Sequence, residues 1–189
     1  MPRYLVSGIA ALAADVAAVL REQGAEAVVV DDIADVPKAC AEAGPGAFDG
    51  YVQLPATFSV DGDTAVARVH HFFAEGVLAR FPAVSAALPA LVPGAARLTF
   101  VMGVLPPEVD TADDVAARAA LVRILARAAR ADRADGLRVV VLDSGSSAKD
   151  IALSALGRGG HRPSMDEDPS EENVADWRME LLGMVWAET

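Results

Sequence analysis

The stretch YLVSGIAALAADVAAVLREQGAEAVVVDD, Tyr4 to Asp32, constrains the fold more than any other part of this chain. An apolar run near Arg3–Ser7 leads through Gly8 into an amphipathic pattern over Leu12–Gln23. Gly24 then stands where a helix ends, and Ala27–Val30 is an unbroken apolar, β-branched run. Strand, helix and strand, with the second strand apolar throughout, is how a parallel sheet covered on both faces begins.

The same alternation continues. A short helix is expected over Val36–Ala43 and a strand over Tyr51–Leu54. A long helical region covers Thr64–Leu91, broken near Phe81-Pro82, and a strand covers Leu98–Val101. A helix follows over Ala112–Ala131, opened by Thr111 and Asp114 as a capping pair. Leu137–Leu142 is a fifth strand, and a last short helix ends near Leu156. Strands alternating with helices predict an α/β fold, a Rossmann-like, doubly wound parallel sheet of about five strands, over residues 1–157. Residues 158–173, rich in Gly, Pro and charge, read as a linker. Residues 174–189 read as a helix, with Trp177, Leu181, Met184 and Val185 at helical spacing, docking on the body or on a partner.

Composition narrows the function classes. The chain has 189 residues and a net charge of −11, and such an acidic surface repels phosphate backbones, so nucleic acid is not expected as a partner. No membrane span is expected, because Arg80, Pro82, Pro89 and Pro93 interrupt the most apolar stretch. Cys40 is the only cysteine, which excludes an internal disulfide and fits a cytoplasmic location. His70 and His71 are adjacent and would diverge by about 100° on a helix, so no metal site is expected.

The layout resembles the short-chain dehydrogenase/reductase family over roughly residues 3–157. Tyr4–Asp32 is similar to that family's first βαβ unit. FDGYVQLPA is similar to its strand ending in Asn-Asn-Ala-Gly, and ARLTFVMGV to its strand ending in the catalytic serine. DVAARAALVRILARAARADRADGLRVVVLDSG is similar to its Tyr-x-x-x-Lys helix and the strand after it. The departures fall on the chemistry. Against the family's Gly-x-x-x-Gly-x-Gly turn, Gly8 matches, but Leu12 and Ala14 replace the other glycines, and a Cβ there narrows the approach of backbone to a pyrophosphate. Gln53 or Leu54 falls on the asparagine, Met102 or Gly103 on the serine, Asp114 on the tyrosine and Arg118 on the lysine. An aspartate at a helix N-terminus is held ionised and is a poor proton donor. The span from Asp31 to Tyr51 is also too short for one further βα unit, the one that borders the adenine pocket in the resembled family.

What remains as a candidate cofactor site is vestigial: Gly8, Asp31, Ser144 and Gly145. Asp31 and Asp32 stand where the resembled family binds a ribose, although an acid there also caps the following turn. Ser144-Gly145-Ser146-Ser147 precedes a helix and offers amides to an anion, or serves as an ordinary cap. On the helix Ala112–Ala131, Val115, Val122, Leu125 and Ala129 form one apolar stripe, and Ala117, Leu121, Ile124 and Ala128 another. The first is taken as a subunit interface. The expectation is a non-catalytic subunit without cofactor or catalytic residues, forming a homo-oligomer or a hetero-oligomer with a catalytic relative. The alternative is an NAD- or NADP-dependent oxidoreductase, or other small-molecule enzyme, with a reworked site.

Overall fold

The computed structural model describes residues 1–55, 62–102, 112–133 and 136–158, without the side chains of 112–119. Thr111, Gly103, the expected linker beyond Arg158 and the expected C-terminal helix lie outside the described residues, as do the side chains of Asp114, Val115, Ala117 and Arg118.

Five strands form one parallel sheet in the order β2-β1-β3-β4-β5. They are β1 (Arg3–Ser7), β2 (Glu26–Val30), β3 (Gly50–Gln53), β4 (Arg97–Val101) and β5 (Arg138–Leu142). The helices between them are α1 (Ala10–Glu22), α2 (Val36–Ala43), α3 (Ala65–His71), α4 (Arg80–Ala90), α5 (Ala112–Asp132) and α6 (Ala148–Ala155). Alternate strand residues face opposite layers. Leu5, Tyr51, Leu98, Phe100 and Val139 pack with α2, α4 and α5. Tyr4, Val6, Val52, Val101 and Leu142 pack with α1 and α6. This two-sided burial is why the strands read as continuous apolar runs.

The long helical region breaks elsewhere than at Phe81-Pro82. Its winding loosens to a π-helix over Phe72–Leu78, and α-helix resumes at Arg80 after a turn at Ala79. Pro82 lies in the first turn of α4, where a missing N–H removes no intrahelical bond. Phe72 and Val77 turn inward from the π segment against Phe73 and Leu121.

At its lower end α4 is held by Arg133, whose guanidinium donates to the carbonyl oxygens of Leu88, Leu91 and Val92. Carbonyls at a helix C-terminus lack intrahelical donors, and a cation supplies them.

Candidate functional site at the carboxyl edge of the sheet

In an open parallel sheet ligands bind beyond the carboxyl ends of the strands, where successive connections leave on opposite faces. Here that point lies between β1 and β3, with Ser7 paired to Gln53 in register. Gly8 turns the chain there with φ +126°. It is packed tightly, since a Cβ at Gly8 would sit 2.7 Å from the Leu54 Cβ and 2.7 Å from the Pro55 oxygen. The Ile9 N–H donates to that same Pro55 oxygen at 2.8 Å. Helix α1 begins at Ala10, only two residues beyond Gly8. The turn is therefore short and tied to the segment after β3.

This early start rotates the helix relative to the glycine spacing. Ala13 faces the sheet and is fully buried, while Ala14 is exposed and Leu12 half-buried. The Cβ that sets the helix–sheet approach is thus that of Ala13. The first turn of α1 contains no acidic residue and no side-chain cap.

Beneath the edge, on the α4 side, lies a buried polar cluster. Ser7 Oγ and Tyr51 Oη share a hydrogen bond of 2.8 Å. Gln53 Nε2 donates to Tyr51 Oη and to the Arg80 carbonyl oxygen, each at 3.2 Å. The Arg80 guanidinium donates to the Val101 carbonyl oxygen at 2.8 Å. Burial is the largest influence on the Tyr51 phenol and pushes it up to about 12, against hydrogen bonds from Ser7 and Gln53 and the nearby Arg80 cation. A fully buried phenol that holds its proton this firmly is a weak proton donor at neutral pH. Sequence reasoning passed over this cluster. Its signal was present in polar Gln53 closing an apolar strand and in Arg80 inside an apolar helix.

The remaining candidates are dispersed. Asp32 Oδ1 accepts from the Ala34 N–H at 2.9 Å and caps the turn after β2, and Asp31 is exposed. Ser144 and Gly145 are exposed in the loop after β5. Ser147, not Ser144, caps α6: its Oγ accepts from the Asp150 N–H at 3.1 Å and donates to the Asp150 carboxylate at 2.6 Å. Asp150 in the first turn of α6 already supplies the negative charge that an anion would bring. Met102, half-buried, packs against the core and donates its N–H to the Leu142 oxygen.

The interface stripe also needs correction. Val122, Leu125 and Ala129 are 1%, 5% and 1% exposed, because they face the sheet and the α4 layer of their own chain. The more exposed stripe is the other one: Ile124 and Ala128 are half-exposed, while Leu121, also half-exposed, packs against Phe72 and Val77 of the same chain. Beside it a groove of about 310 Å³ runs between α4 and α5, walled by Phe81, Ser85, Leu88, Leu125, Ala128 and Asp132.

His71 Nε2 lies 3.3 Å from Glu75, and His70 is exposed. Among the described residues no group of three or more His, Cys, Asp or Glu could hold a metal ion. No described helix is long and apolar enough to cross a membrane.

No protein-family model matches the chain, and no curated protein matches it significantly. Solved structures do. A small-chain dehydrogenase superposes with a TM-score of 0.63 at 21% identity, covering 85% of this chain and 90% of that one. The NADH-dependent enoyl-[acyl-carrier-protein] reductase of Aquifex aeolicus VF5 gives 0.62 at 17%, covering 84% and 89%. A carbonyl reductase from Pseudomonas aeruginosa PAO1 gives 0.57 at 16%, covering 83% and 89%. The chain has the α/β, Rossmann-like fold of the short-chain dehydrogenases and reductases.

Proposed function

We propose that this chain is a non-catalytic protein of short-chain dehydrogenase fold. It acts as a structural or regulatory subunit, in an oligomer with itself or with a catalytically complete relative, and binds neither NAD nor NADP. The observation that carries the reading is the turn after β1, where the Ile9 amide is already bonded to the Pro55 oxygen and Leu12 and Ala14 stand in place of glycines. A pyrophosphate needs the amides of that turn and a close backbone approach. The sequence adds Asp114 and Arg118 where the resembled family has tyrosine and lysine. The half-exposed stripe on α5 and the groove beside α4 are the surface on which the oligomer is built.

A second reading, an NADP-dependent reductase with a reworked site, is favoured by the uncapped, acid-free first turn of α1. A small-chain dehydrogenase of the same fold is known in complex with NADPH. A screen of ketones and acyl thioesters with both reduced cofactors separates the two. The subunit reading expects nicotinamide absorbance to change no faster than without protein, and reproducible oxidation of the cofactor would establish the reductase.

A further inference from the structure

The opposite, amino edge of the sheet gathers positive charge on its α1/α6 face. Arg97 and Arg138 are the first residues of β4 and β5 and are paired in parallel register, so both stand on the same face. Like charges placed directly opposite on a sheet repel each other. Arg158 follows α6 at the same edge, and its guanidinium donates to the neutral amide of Gln23 at 3.2 Å. Gly157 lies so close over the Arg97 guanidinium that a Cβ there would collide with it. The Tyr4 ring crosses the bare face of Gly50 in the same row.

Two described acids at this edge are already engaged. Glu26 pairs with Arg3 at 3.0 Å, and Asp49 accepts the Arg3 backbone N–H at 2.7 Å. Among the described residues no carboxylate pairs with Arg97, Arg138 or Arg158. Three cations on one edge, none paired with a carboxylate among the described residues, are conspicuous in a chain whose net charge is −11.

The chain itself delivers a complement. Eight residues beyond Arg158 begins the densest acidic run in the sequence, Asp166, Glu167, Asp168, Glu171 and Glu172. Eight residues span up to about 26 Å when extended, enough to turn back on an edge that Gly157 already touches. Attachment through so short a segment gives an effective concentration in the millimolar range, which lets individually weak ion pairs act together.

We propose that this amino edge is the docking site of the chain's own acidic stretch 166–172, whose carboxylates pair with Arg97, Arg138 and Arg158. The proposal stands apart from the fate of the cofactor cleft at the other edge. Docking here fixes the start of residues 174–189 beside the body of the same chain. A partner that takes up the acidic stretch would have to compete with the three arginines.

The test is cleavage of the full-length chain by a Glu-specific protease. Cutting after Glu167, Glu171 and Glu172 is read by mass spectrometry, with a free peptide of sequence 163–176 in the same tube as the reference. At low salt the segment in the protein is expected to be cut about tenfold more slowly than the peptide, and the difference should vanish near 0.5 M salt, where the Debye length is a few ångströms. The double variant Arg97→Gln/Arg138→Gln should lose the protection at low salt. Combining Arg97→Glu/Arg138→Glu with Asp166→Lys/Asp168→Lys should restore it at the remaining sites. The salt titration uses the natural chain, so misfolding of a variant leaves that arm intact. Cutting as fast as the free peptide at low salt overturns the proposal. So does protection that survives the arginine changes, or that grows with protein concentration and so comes from a second copy.

Discussion

The backbone amide of Ile9 donates to the carbonyl oxygen of Pro55 over 2.8 Å, joining the turn after β1 to the turn after β3. The space between them is so small that only glycine fits at position 8. Gly8→Ala should therefore destabilise the fold. A side chain at φ +126° is strained by about 1–3 kcal/mol, and the contacts with Leu54 and Pro55 add overpacking of similar size. Urea unfolding should show a midpoint lowered by at least about 2 kcal/mol. A neutral Gly8→Ala would mean that Leu54 and Pro55 give way at little cost.

Tyr51 makes stability depend on alkaline pH. Its phenol titrates at 10 when unfolded and at about 12 when folded. Above pH 10 the unfolded chain releases a proton that the folded chain keeps, so stability is full below 10 and falls as pH rises toward 12, by about 1.4 kcal/mol per unit. Tyr51→Phe should remove this slope, leaving the contribution of Tyr4, whose phenol burial also holds up. At neutral pH the same change should cost about 1–3 kcal/mol, because the buried Ser7 hydroxyl loses its partner and Gln53 loses one of two. Denaturant midpoints of both proteins at pH 8 and pH 11 check the slope and its loss.

The two stripes of α5 predict opposite outcomes. Val122→Asp places a carboxylate at a position 1% exposed and should cost more than about 3 kcal/mol, unfolding the chain rather than dispersing an assembly. Ile124→Asp lies on the half-exposed stripe, and its cost in stability should stay within about 0.5 kcal/mol. If the oligomer is built on this face, light scattering should show Ile124→Asp reduced to the monomer mass. Unchanged mass for Ile124→Asp would remove the face from the interface.

The sheet and its two helical layers were legible because burial on both faces writes itself into the sequence. Ala27–Val30 and Leu137–Leu142 read as apolar strands and form β2 and β5, the two edges of the sheet, and Gly24 marked a helix end that the structure keeps. What was not legible depends on contacts distant in sequence. The closure at Gly8 comes from Leu54 and Pro55, which no local pattern links to it. The outward stripe of α5 could not be chosen by periodicity, because both stripes are apolar and only the position of the sheet decides between them. The helix break moved from Pro82 to Ala79 because a proline in a first turn is compatible with helix, whereas the π winding before it has no sharp sequence mark.

Titration calorimetry with NADH and NADPH tests the closed cleft most directly. Dehydrogenase cofactor sites work with ligand at micromolar to millimolar levels, so cofactor should be carried to the order of 1 mM. A turn in which Gly8 is packed on Leu54 and Ile9 is bonded to Pro55 should give only the heat of dilution with either cofactor. Saturable heat with one-to-one stoichiometry from either cofactor would contradict the account and make the protein a binder of that nucleotide.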